Sequence, residues 1–388
     1  MRPGSGHQAG GAFACRAFAV TVGAGILSAL AWPVSARDLA PDVHAAIRAT
    51  DGRPAVIAHR GASALRPEHT LAAYAKAIED GADFIEPDLV MTRDGVLVAR
   101  HENEIGETTD VAGHPAFAGR RTVREVDGQS VDGWFVEDFT LAELRTLRAR
   151  ERLPALRGTA HDGREGVPTF AEIVDAVAQA SAAAGRTIGI VPELKHSTHF
   201  HGRGLDPEAA LMAALQAHDY TRTAPVGVQS FEVGNLRRLR TLLDAAGLRN
   251  VFLVQLVGAP EASPFDLEQA GAPVSYLRMV STAEGLADIA AYADVLAPHL
   301  RAVLPLDEDG ALGAPTPLVP AAHAAGLAVH VWTLRPENPF LPPALRCGAQ
   351  DARCDEGAGT EARAFAEAGV DALFGDDPGQ LRRALDAR

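Results

Sequence analysis

The chain predicts an α/β protein, a closed (β/α)8 TIM barrel with one insertion after its second strand. Three observations carry this prediction. Short β-branched runs alternate with Ala/Leu-rich runs of helical period from residue 55 to the end. Eight such strands can be counted, the number the barrel needs. Polar and charged residues gather at one end of each apolar run, whereas plain core strands read as continuous Val, Ile and Leu. An open, doubly wound sheet is the alternative that the same alternation allows.

The elements follow in order. A strand over 55–58 precedes a helix over 70–79, which Gly81 ends. The second strand spans 84–92. Residues 103–166 break the alternation; rich in Asp, Glu, Arg and Gly, with a helical run over 140–150, they read as an insertion packed near the barrel mouth. The later strands are 188–195, 226–231, 251–257, 295–298, 328–334 and 372–374. Helices over 170–184, 207–217, 236–246, 283–291, 318–325, 360–368 and 380–385 separate most of them. A shorter insertion covers 335–359 and holds Cys347 and Cys354.

The whole chain has 388 residues, 47% of them hydrophobic, which is ample for one large core. Its first 36 residues carry Arg2 and Arg16, an apolar run over 17–32 and small residues at Val34-Ser35-Ala36. That order predicts a cleaved export signal and a periplasmic or secreted product; a membrane anchor is disfavoured by the short run and the missing basic flank. Removal of residues 1–36 takes the net charge from −14 to −16. An acidic exported protein is a poor nucleic-acid binder, and no stable membrane insertion is expected after cleavage. In an oxidising compartment Cys347 and Cys354 are expected to close a disulfide rather than stay free. Oligomeric state is not written in the sequence.

The chemistry concentrates at the strand ends. Glu86 and Asp88 stand at i and i+2 on the second strand and so share one face, the interior of a barrel. Bare carboxylates there are costly unless something positive joins them, such as a divalent cation with oxygen ligands. Glu193 and Lys195 repeat the spacing on the third strand. His59 and Arg60 end the first strand, and His101 follows a hairpin-like extension of the second. Gln229 ends the fourth strand and Trp332 the seventh. Each residue alone has a structural reading, but all of them together require several unrelated buried charges at one barrel mouth. Two histidines near their ordinary pKa of about 6.5 can exchange the roles of acid and base, while Arg60, Lys195 and a cation offset phosphoryl charge. The set suits cleavage of a phosphate ester.

The motifs His59-Arg60-Gly61, Pro67-Glu68-His69-Thr70, Glu86-Pro87-Asp88, Arg100-His101-Glu102 and Pro192-Glu193-Leu194-Lys195 resemble those of the glycerophosphodiester phosphodiesterases. The insertion, with 109–112 and 133–141, looks like the periplasmic bacterial branch. The resemblance covers nearly all of 52–388. It implies a bound divalent cation, Ca²⁺ before Mg²⁺, and hydrolysis of glycerophosphodiesters to an alcohol and glycerol 3-phosphate. It implies His59 and His101 as the acid/base pair and Glu86, Asp88 and Glu193 as metal ligands. Arg60 and Lys195 would contact phosphate. Beside the resemblance, Gln229 and Trp332 at their strand ends read as further substrate or phosphate contacts, Trp332 with an ordinary barrel-rim role as the alternative. His69 departs from the family's usual Asn, so a shifted hydrogen bond is expected there. Asp376-Asp377, also less typical, reads as a turn, and His196, His199 and His201 after strand three read as a solvated polar loop, with contact to substrate or to a transition metal as the alternative.

Overall fold

The computed structural model describes residues 39–387, so the proposed export signal lies outside the described residues. Eight parallel staves close into a barrel: β1 (Ala55–His59), β2 (Phe84–Glu86 continued by Asp88–Met91), β3 (Gly189–Ile190 continued by Glu193–Leu194), β4 (Val226–Ser230), β5 (Val251–Val257), β6 (Val295–Pro298), β7 (Ala328–Leu334) and β8 (Ala372–Gly375). β8 pairs with β1, and β4 pairs with β5 from Val226↔Val251 to Ser230↔Gln255, which completes the ring. The second and third staves are each broken where one continuous strand was expected. Pro87 and Pro192 sit at the breaks and have no N–H to give the ladder.

Residues along each stave alternate between two cores. Outward side chains such as Val56, Ile85, Leu253 and Val331 meet the surrounding helices. Inward ones, among them Ile57, Phe84, Val191, Phe252, Val254 and Phe374, fill the barrel. The N-terminal helix Pro41–Ala46 closes one end, adding Val43 and Ile47 to that inner core. Gly227 lies inside because a Cβ there would come within 2.4 Å of the Phe252 ring. Helices begin on side-chain caps where the sequence supplies them: Thr169 and Glu172 form a reciprocal capping box before Phe170–Ala184.

The insertion after β2 differs from its prediction. A strand over Leu97–Ala99 first turns back antiparallel on β2. A two-stranded hairpin, Thr122–Val126 with Gln129–Gly133, then stands where no strand was expected. The helical run is confined to Leu141–Leu144, followed by a single turn at Pro154–Arg157. Trp134, Phe135 and Phe139 are buried rather than presented as an apolar surface. Among the described residues no helix is long and apolar enough to cross a membrane. In the second insertion Cys347 and Cys354 form a disulfide.

Candidate active site

Strand register assembles the centre. Asp88 on β2 is level with Glu193 on β3, and Glu193 is level with Gln229 on β4. On the other side His59 is level with Glu86. Ligand oxygens of Glu86, Asp88 and Glu193 all lie within 4.8 Å of one another, and all three residues are buried. Burial first, and then the neighbouring acids, push the Glu86 carboxyl well up. Burial likewise raises Glu193, to about 8, although Lys195 opposes it. Asp88 moves the other way: Lys195 and His69 overcome its burial and hold it low.

The donor set fits a hard divalent cation. Three carboxylates converge from two adjacent staves; one of their oxygens, Asp88 Oδ1, and the neighbouring Gln229 Oε1 are buried without a hydrogen bond. Gln229 Nε2 donates to Glu86 Oε1 at 2.9 Å, so besides lining the cavity it orients a carboxylate. Lys195 Nζ lies 2.8 Å from Glu193 and 3.3 Å from Asp88, a position from which it neutralises part of the cluster.

The β1 end is built by a tight turn. Arg60 has φ +60°, a left-handed conformation that aims its backbone N–H at Glu86 Oε2, 2.8 Å away. Gly61 follows at φ +88°, and a Cβ there would lie 2.7 Å from the Ala73 backbone, so only glycine fits. The Arg60 guanidinium donates to Glu68 at 3.1 Å and lies 3.5 Å from Asp88. His69 bridges Asp88 through Nε2 (2.8 Å) and the Tyr74 hydroxyl through Nδ1 (2.9 Å).

The two histidines face a shared cavity. It is lined by His59, Arg60, His101, Lys195, Phe231 and Trp332, with Glu86, Glu193 and Gln229 at its floor. His59 Nδ1 is 2.7 Å from Asp376, and His101 Nδ1 bonds Glu102. A carboxylate on Nδ1 keeps the proton there and leaves Nε2 as the free base. Burial and the Arg60 cation lower His59 to about 4; burial, Arg60 and Lys195 lower His101 to about 3. Both imidazoles are therefore neutral at pH 7 before an anionic substrate arrives. Trp332 donates Nε1 to the Ala297 carbonyl at 2.8 Å and presents its ring edge-to-face with Phe231.

Asp376 corrects the sequence reading. Expected as part of a turn, it is buried against His59, and Arg335 and Arg157 overcome burial to hold its carboxyl well below the usual range. Its neighbour Asp377 does the turn's work, accepting from the Gln380 N–H at 2.9 Å to cap the last helix. The signal in the sequence was the doubling of Asp at a strand end. The three later histidines are not in a solvated loop. They lie at or in the short helix Ser197–Gly202, and each meets a carboxylate: His196 with Asp127 (2.6 Å), His199 with Glu137 (2.8 Å) and His201 with Glu208 (2.7 Å). Near His201, Arg238 already neutralises Asp206 and Glu208.

Comparison with known proteins then places the chain. The family model for the glycerophosphoryl diester phosphodiesterase family matches residues 59–380. A glycerophosphodiester phosphodiesterase of Arabidopsis thaliana is 32% identical over 302 residues, covering 74% of this chain and 76% of the relative. One from Haemophilus influenzae is 29% identical over 302 residues, covering 72% and 78%. With plant and bacterial relatives alike, the periplasmic bacterial branch is not singled out. A solved structure from Silicibacter pomeroyi superposes with a TM-score of 0.60 at 23% identity, covering 88% of this chain and 96% of that one. An Oleispira antarctica phosphodiesterase, solved in complex with its product sn-glycerol-3-phosphate, gives 0.55 at 21% identity, covering 86% and 97%. Both support the barrel fold.

Proposed function

The chain belongs to the glycerophosphoryl diester phosphodiesterase family, and from that premise we propose that it hydrolyses glycerophosphodiesters to an alcohol and sn-glycerol 3-phosphate, with His59 and His101 as acid and base and a divalent cation held by Glu86, Asp88 and Glu193. The observation that carries the reading is the pair of Nδ1-anchored imidazoles facing one cavity over a floor of converging carboxylates. The cation, Ca²⁺ with Mg²⁺ as its competitor, would offset phosphoryl charge. Arg60 and Lys195 line the same cavity and would draw in the anionic diester, while Phe231 and Trp332 offer apolar wall to glycerol carbons.

The first step needs one histidine neutral, as base, and the other protonated, as acid. One Nε2 takes the proton from the glycerol 2-hydroxyl as that oxygen attacks phosphorus. The bond from phosphorus to the departing alcohol breaks, and the other imidazolium protonates that oxygen. The resulting cyclic phosphate is opened by water with the two roles exchanged. The phosphodiester's negative charge raises the histidine that must carry the proton. A substrate without the vicinal hydroxyl should be cleaved far more slowly; an undiminished rate would exclude this route.

We propose further that the protein works after export, as the first 36 residues suggest. The buried positions of Trp134, Phe135 and Phe139 favour soluble headgroup diesters over a membrane-docked lipid. The test of the activity is release of glycerol 3-phosphate from glycerophosphocholine by wild type and by His59→Ala. Release by wild type and its loss in the variant are expected. Full activity in His59→Ala would refute the acid/base assignment, and no release by wild type would refute the reaction.

A further inference from the structure

Two arginines of the insertion reach both histidines through their carboxylate partners. Arg157 Nη2 lies 2.6 Å from Asp376 Oδ2, while Asp376 Oδ1 holds His59 Nδ1 at 2.7 Å. The same guanidinium donates to Glu337 at 2.7 Å and to the Ser63 carbonyl at 3.0 Å, so its whole fork is engaged. The Arg157, Glu337 and Asp376 side chains are 6%, 1% and 3% exposed. Arg152, five residues earlier, grips Glu102 through Nη1 at 3.1 Å and Nη2 at 2.5 Å, and Glu102 holds His101 Nδ1. Arg152 also donates to both oxygens of Glu68, at 2.8 and 2.7 Å, and Glu68 in turn pairs with Arg60.

We infer that Arg152 and Arg157 are positioning residues, and that this one segment of the insertion fixes the orientation and tautomer of both histidines at once. The inference rests on the reading of His59 and His101 as the acid/base pair. A carboxylate has two oxygens; with one on the imidazole, the guanidinium on the other stops it from turning away. A planar fork is required, because Arg152 spans two carboxylates and Arg157 spans two carboxylates and a carbonyl. Leu153 N–H donates to Glu151 at 2.8 Å and Glu151 N–H to Asp162 at 2.8 Å, so the segment between the arginines is itself braced. Anchoring alone does not explain the arrangement. The insertion is also braced by Arg124, which binds Glu137 and Asp138 within it, Glu137 in turn meeting His199 outside it, and which touches neither histidine's partner.

The test is steady-state hydrolysis of glycerophosphocholine, at saturating cation and below every melting temperature, by wild type, R152Q, R157Q, R157K, R157A and R124Q. R152Q and R157Q should lower kcat about tenfold to a hundredfold with KM little changed, as expected for misplaced acid/base groups. R157K should fall between, since it keeps the charge and loses the fork. Millimolar guanidinium should restore part of the kcat of R157A. R124Q should lose stability but keep kcat. Wild-type kcat in R152Q and R157Q, or equal loss in R124Q, would show that the arginines only anchor the insertion. His59→Ala separates the two readings: its inactivity beside a fully active R157Q overturns the positioning role alone, whereas its full activity overturns the acid/base reading itself.

Discussion

The two ends of the barrel both hold histidine, and the surroundings of each ring separate scaffold from chemistry. At the closed end His330 points into the inner core, where its Nε2 donates to the Ile47 carbonyl at 2.9 Å. Burial pushes its pKa down, and nothing there develops charge. At the open end His59 and His101 are lowered too, but each rests on a carboxylate gripped by arginine, beside three converging acids. A backbone carbonyl orients the ring but brings no full negative charge to offset an imidazolium. A carboxylate held by arginine orients the ring and stabilises the cation when a proton arrives. The same eight staves thus carry a buried layer for stability and a charged layer to which we assign turnover.

Breaking each layer should give opposite signatures. His59→Ala should lower kcat/KM by about a thousandfold, the middle of the range for general acid–base groups, and leave the melting temperature nearly unchanged. His330→Ala should lower the melting temperature and leave turnover of the folded enzyme intact; assays paired with thermal melts decide both. Phe252→Ala removes a fully buried ring from the inner core and should cost about 3–5 kcal/mol, read by urea unfolding, again without loss of kcat. Equal loss of kcat from the closed-end variants would erase the distinction between the layers.

A pH experiment sharpens the contrast. Glu193 is raised from 4.5 to about 8 without cation, so its stabilising contribution is full below about pH 4.5 and lost as pH rises through 8. Glu151 and Glu232, raised to about 7, act with the same sign. Asp376 and Glu68 are held low, and their contribution, present above the ordinary carboxylate range, is lost only on acidification. Between pH 6 and 8.5 the metal-free protein should therefore lose stability. Added Ca²⁺ should raise the melting temperature more at pH 8.5 than at pH 6, because ligands must shed protons to bind. A shift independent of pH would argue against carboxylate ligation. Glu193→Gln should flatten part of the pH slope of the metal-free protein, a small effect, and should also remove its response to cation.

What the sequence disclosed follows from the range of the interactions. Strand alternation and i, i+2 spacing are local, so the staves and the inward set Glu86, Asp88, Glu193 and Lys195 could be read directly. The hairpin over Thr122–Gly133 was missed because most of its residues on both faces are exposed, which leaves no apolar period. Asp376 looked like a turn because its partner His59 is 317 residues away. Arg152 and Arg157 were lost among the insertion's many charges for the same reason, their partners Glu68 and Asp376 lying 84 and 219 residues distant. Gln229 was placed correctly at the stave end, but only the fold shows that it faces Glu86.

The most direct measurement is glycerol 3-phosphate release from glycerophosphocholine before chelation, after chelation and after cation is restored. The account predicts turnover that is abolished by chelator and regained with Ca²⁺ or Mg²⁺ in wild type, and not regained in Glu193→Gln. Undiminished turnover after exhaustive chelation would contradict the carboxylate centre as the seat of the reaction.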